Sequence, residues 1–131
     1  MSSPPATVAY RRLWLVLGFA LVGVVVVSSL APAGPPMPVR GFDKLGHAGA
    51  YLVLMVWFAG LNARRAWPWV ALALFAMGVA IELAQGAMHT QRTAEARDAL
   101  ANAAGIGLGA VLAAGGAAAW PHKVEAWLAR K

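Results

Sequence analysis

At 131 residues the chain has the length of one domain, yet 60% of it is apolar and only 12% is charged, which in a soluble protein of this size would leave large apolar patches in water. The absence of cysteine excludes disulfides, thiolate metal sites and a thiol nucleophile. The net charge of +6 sits in short clusters between apolar runs, the pattern that orients membrane helices rather than one that grips nucleic acid.

The predicted elements make an all-α fold: a four-helix transmembrane bundle forming a single membrane domain over 1–131. The run 13–30 carries neither charge nor proline and is long enough for a bilayer core of about 30 Å. It follows Arg11 and Arg12 and precedes Ala31-Pro32-Ala33, as a signal peptide would, but it is longer than a usual signal core; a first span is the expectation. Pro32, Gly34, Pro35, Pro36, Pro38 and Gly41 then deny regular hydrogen bonding and imply an extended loop.

A second span is expected over 44–61, with a tight turn after it at Asn62-Ala63-Arg64-Arg65-Ala66. The third, 67–86, opens with Trp67 and Trp69 at interface depth and Pro68 in its first turn. Residues 87–97 include His89, Thr90, Gln91, Arg92, Thr93, Glu95 and Arg97, too polar for hydrocarbon, and form a loop. The fourth span, 99–120, is rich in Ala and Gly, so Gly105 and Gly109 invite another helix backbone to approach closely. It is expected in the middle of the bundle, and the same stripe offers a route to a homo-oligomer. Pro121 ends it. In the tail Val124, Trp127 and Leu128 share a helical face beside Lys123, Arg130 and Lys131, which suits a short interfacial helix.

Orientation comes from the basic residues. Arg11, Arg12, Arg64, Arg65, Lys123, Arg130 and Lys131 lie on one side, against Arg40, Lys44, Arg92 and Arg97 on the other. The excess puts both termini in the cytoplasm.

The polar residues that enter the spans share the opposite face. Asp43, His47 and Tyr51 recur every four residues at the start of the second helix, with Lys44 one helical turn before His47. Glu82 and Gln85 stand three apart near the end of the third. Asp98, Asn102, Gly105 and Gly109 form one stripe at the start of the fourth. Ionisable groups at such depth must face the bundle interior and find partners. Glu82, flanked by Ile81 and Leu83, is expected to be protonated, ion-paired or metal-bound. A purely structural reading has Glu82 bonding His47 or Asn102, and Asp43 and Asp98 capping their helices.

Taken together, Asp43-Lys44-x-x-His47-x-x-x-Tyr51, Glu82-x-x-Gln85 and Arg92-x5-Asp98-x3-Asn102-x2-Gly105-x3-Gly109 resemble the VanZ-like family over residues 43–109. The segment between Gln85 and Arg92 lacks the aromatic and proline residues of the family pattern, so loop contacts are not carried over. The resemblance implies a bacterial inner-membrane protein of the cell envelope, in a family named for a member tied to low-level resistance to the glycopeptide teicoplanin. It implies a place and not a reaction.

The leading functional expectation is binding of an anionic lipid or glycolipid head group, such as that of a cell-wall precursor, by Asp43, Lys44, His47, Tyr51, Glu82, Gln85, Arg92, Asp98 and Asn102. Lys44 and Arg92 would contact phosphate, His47 and Asn102 would hydrogen-bond, and Glu82 would fix the lysine or histidine. Simple snorkelling explains Lys44 and Arg92 equally well. A membrane-embedded hydrolase or transferase would use His47 as base with Glu82 or Asp98 as orienting group or acid, but the sequence offers no clear nucleophile and no Gly-rich phosphate cradle. A metal on His47, Glu82 and Asp98 lacks a tight ligand motif, and no cofactor is expected. A proton-linked transporter relaying through Glu82 and His47 would need an oligomer.

Overall fold

The computed structural model describes residues 7–32, 35, 41–88 and 96–131, and these contain helices and no strands. The helices are α1 (Arg11–Leu30), α2 (Phe42–Leu61), α3 (Trp67–Ala87), α4 (Ala96–Ala114) and α5 (Trp120–Leu128), with short 3-10 turns at Arg64–Ala66 and Ala117–Ala119. Three segments, Arg11–Leu30, Phe42–Leu61 and Arg64–Ala87, are each long and apolar enough to cross a membrane; Ala96–Ala114 and Ala117–Leu128 qualify only together, as a unit bent by 73°. The chain therefore has the build of a membrane protein. The proline-rich loop and the loop before α4 lie largely outside the described residues.

The bend corrects the expected fourth span of 99–120. The helix starts earlier, at Ala96, and stops at Ala114, because Gly116 takes a left-handed φ of 115° that ends an α-helix as a glycine after its last turn commonly does. Pro121 does not terminate a span; it sits in the first turn of α5, where its missing N–H costs nothing.

The surface is apolar. Val16, Phe19, Val24 and Val27 on α1, Leu72 and Leu83 on α3, and Leu108 and Val111 on α4 are all exposed, as lipid-facing side chains should be. The buried core is built around α2, which contributes Tyr51, Leu54, Met55, Phe58 and Ala59, joined by Leu74, Ile106 and Ala113. Helix α1 buries only Gly18.

The tightest contact joins α2 to α4. A β-carbon added at Gly105 would strike the Ala48 carbonyl, and one at Gly109 would lie 2.8 Å from both the Leu52 oxygen and the Met55 β-carbon. The Gly105/Gly109 stripe is thus filled by α2 of the same chain. Apolar lipid supplies no hydrophobic force between helices, so contact at this range, permitted by small residues, is what holds them.

At the opposite end of the bundle, tryptophans finish the backbone hydrogen bonding of α2. The Trp67 indole donates to the Ala59 carbonyl at 3.0 Å, Trp120 to Trp57 at 3.3 Å, and the Arg11 guanidinium to Leu61 at 3.2 Å. Ala59 and Leu61 are among the last four residues of α2, whose carbonyls lack intrahelical donors, and a cation there also meets the negative end of the helix dipole. Glu125 of α5 does the converse for α1: its carboxylate accepts from the Ala9 and Tyr10 backbone N–H groups and from the Trp14 indole, at 2.9, 2.9 and 2.8 Å.

Ala in place of Gly at an open helical site gains up to about 1 kcal/mol in propensity, so Gly107→Ala, where an added β-carbon meets nothing within 4 Å, should leave thermal stability in detergent unchanged or raised. Gly105→Ala should lower it by roughly 1–3 kcal/mol through overpacking; equal stabilities would disprove the close approach. For Glu125, partial burial pushes the carboxyl up, but the donors Tyr10, Trp14 and Ala9 outweigh it and hold the group below its ordinary value of 4.5. Its contribution to stability is then full above that value and is lost as pH falls below it. Thermal midpoints recorded from about pH 6 to 3 should fall more steeply for wild type than for Glu125→Gln.

Candidate functional site

The end of α1, the start of α2, the end of α3 and the start of α4 meet at one end of the bundle, and there the buried polar residues gather: Glu82, Gln85, Asp98 and Asn102 are each less than one-tenth exposed. Helical spacing makes this possible. Gly78, Ile81, Glu82 and Gln85 are the buried residues of the second half of α3, and Asp98, Asn102, Gly105 and Gly109 lie on the face that α4 buries.

Lys44 is the hub. Its ammonium bonds the Asp98 carboxylate across the α2/α4 contact and lies 3.5 Å from Asp43. Asp98 is therefore spent on an interhelical ion pair, and Asp43, inside the first turn of α2 after the N-cap Gly41, is largely exposed; neither acts simply as a helix cap. Breaking such a partly buried pair leaves an uncompensated charge, which is why both members are needed together.

Behind this pair, Tyr51 and Asn102 converge on the backbone of α3 at Gly78. A β-carbon there would lie 2.8 Å from Asn102 Nδ2 and 3.1 Å from the Tyr51 hydroxyl. Asn102 is 2% exposed, yet among the described residues its Oδ1 accepts no hydrogen bond. A buried acceptor left unmet costs about 1–3 kcal/mol. Glu82 lies on the same buried face of α3, one turn beyond Gly78.

The remaining expected site residues differ in their partners. Gln85 donates to the Ser29 carbonyl at 2.6 Å and so ties α3 to the end of α1. His47 is half-buried and, among the described residues, makes no hydrogen bond or ion pair, so it stands at the rim without the orienting carboxylate that a general base uses. Among the described residues no three His, Asp or Glu side chains converge as a metal site requires, so His47, Glu82 and Asp98 do not form one. Arg92 lies outside the described residues. Sequence reasoning missed Gly78, whose only signal is its place in the run Met77-Gly78-Val79-Ala80, and Ser29, whose backbone oxygen carries no signal.

Comparison of the chain with family models, with curated proteins and with solved structures returns no match. The arrangement itself defines what the site can do: one ammonium and a set of carboxylate, amide and phenol groups, packed at a membrane face, suit a ligand that offers both anionic oxygen and hydroxyl or amine donors.

Proposed function

We propose that the protein is a VanZ-like protein of the bacterial inner membrane, with both termini cytoplasmic, whose polar cluster on the outer face binds the head group of an anionic envelope lipid or glycolipid. The orientation is supported by the basic residues Arg11, Arg12, Arg64, Arg65, Lys123, Arg130 and Lys131 at the end of the bundle away from the cluster. α5, with Trp127 and Leu128 exposed and its axis turned away from α4, would lie in that interface. The VanZ-like resemblance supports the envelope setting and a part in teicoplanin tolerance.

One observation carries the reading: Asn102 Oδ1 is buried beside the Lys44/Asp98 pair and lacks a protein donor among the described residues. A residue kept only to join helices would be expected to use its acceptor within the bundle. A head-group hydroxyl or amine would supply the missing donor, while Lys44, with Arg92 from the loop, would meet the phosphate. Carboxylates outnumber ammonium groups in the described cluster, which favours a ligand with sugar hydroxyls over a bare phosphate.

The test is native mass spectrometry of detergent-purified protein exposed to a bacterial lipid extract, paired with thermal unfolding. Asn102→Leu removes the unmet acceptor at similar volume, and His47→Ala alters only the rim. Both should lose a retained anionic lipid while the thermal midpoint stays within about 2 °C of wild type or rises. Unchanged lipid retention with a loss of several degrees would mean that the cluster only holds helices together.

A further inference from the structure

The opposite end of the bundle carries a feature that head-group binding does not use. Between α2, α3 and α4 opens a cleft of about 310 Å³ lined by Met55, Arg64, Trp67, Pro68, Ala71 and Ala110, near the lower limit of small-molecule sites, which run from ~300 to 1,000 Å³. It exists because Ala71 and Ala110 are too small to fill the space beside Met55. Its walls are apolar except at the mouth, where the Arg64 guanidinium carbon lies 5.4 Å from the centre of the Trp67 ring. That ring is held in place by its indole bond to the Ala59 carbonyl, so the mouth is preorganised.

Charge at the mouth is unbalanced. Arg64 and its neighbour Arg65 are exposed, and among the described residues neither has a carboxylate within ion-pairing distance. Depth fits as well. At about 1.5 Å per residue, Ala71 lies one turn into the membrane from Trp67 and Met55 somewhat deeper from the end of α2, the level at which a lipid's glycerol gives way to its chains.

We propose that this cleft binds one anionic phospholipid from the leaflet at the basic end of the bundle, with an acyl chain along Met55, Ala71 and Ala110 and the phosphate on Arg64 and Arg65. A free phosphate would leave the apolar walls in contact with water, and a neutral lipid would leave the two arginines unmatched. Only the identity of the leaflet as the inner one rests on the orientation proposed above; anionic lipids there attract juxtamembrane arginines.

The experiment titrates dioleoyl phosphatidylglycerol and dioleoyl phosphatidylcholine onto detergent-purified protein and counts bound lipid by native mass spectrometry. It is done in wild type and in Asn102→Leu, so that a ligand at the outer cluster is separated from one in the cleft. Phosphatidylglycerol should be preferred by roughly tenfold in both backgrounds. Made in the Asn102→Leu background, the Arg64→Gln/Arg65→Gln protein should bind the two lipids equally, and Ala71→Leu, which fills the cleft with little change to the helix, should weaken both; Ala110→Val serves as the second filling variant if Ala71→Leu does not fold. Glycerophosphoglycerol, the head group without chains, should not compete. Persistence of the preference in the double arginine variant, unweakened binding in the filled cleft, or competition by the chain-free head group would each overturn the proposal, as would a preference that vanishes in Asn102→Leu.

Discussion

The contact between Gly105 of α4 and the Ala48 carbonyl of α2 is the constraint on which the structure depends. Both helices start at the same end of the bundle, and pressing them together at Ala48/Gly105 and Leu52/Gly109 fixes their register. With that register Lys44, one turn before Ala48, reaches Asp98, and the Tyr51 hydroxyl and the Asn102 amide meet beside Gly78. A methyl group at Gly105 would push the helices apart at the height of the ion pair. In a medium that offers no hydrophobic drive between helices, close packing and interhelical polar contacts are the forces left, and here the first places the second.

The two ends of the bundle solve the polar-group problem differently. At the basic end the terminal carbonyls of α2 find donors in Trp67 and Arg11, and the start of α1 finds its acceptor in Glu125. The open feature of that end is an apolar cleft with arginines at the mouth. At the other end Lys44 pairs with Asp98, but among the described residues the Asn102 amide oxygen meets no donor. Buried polar networks are stable when fully satisfied and costly when partly so, and the unfinished one is the end at which we propose that a head group binds.

Much of this is legible in the sequence because helices in lipid leave strong signals. Long apolar runs mark the first three helices, and the four- and three-residue spacing of Asp43, His47 and Tyr51, of Glu82 and Gln85, and of Asp98, Asn102, Gly105 and Gly109 shows which residues share a face. Periodicity does not say what a face meets. The glycine stripe of α4 reads as open to a second copy, yet α2 fills it; His47 shares a stripe with Tyr51 but stays at the rim. Partners that are backbone atoms, such as the Ser29 oxygen that receives Gln85 or the N–H groups that Glu125 accepts, leave no trace in side-chain patterns. Hydropathy also carries α4 through Gly115 and Gly116, because glycine counts as nearly neutral there while its left-handed φ ends the helix.

The most direct measurement is the distance between Lys44 Nζ and Asp98 Cγ in lipid bilayers, by solid-state NMR dipolar recoupling on lysine and aspartate labelled protein. Asp43→Asn leaves Asp98 as the sole aspartate in the chain, so the signal is unambiguous. With α2 and α4 packed as described, the aspartate carboxyl should be strongly dephased by one lysine nitrogen at about 4 Å or less. A carboxyl with no lysine nitrogen within about 6 Å would contradict both the register of the two helices and the site built on it.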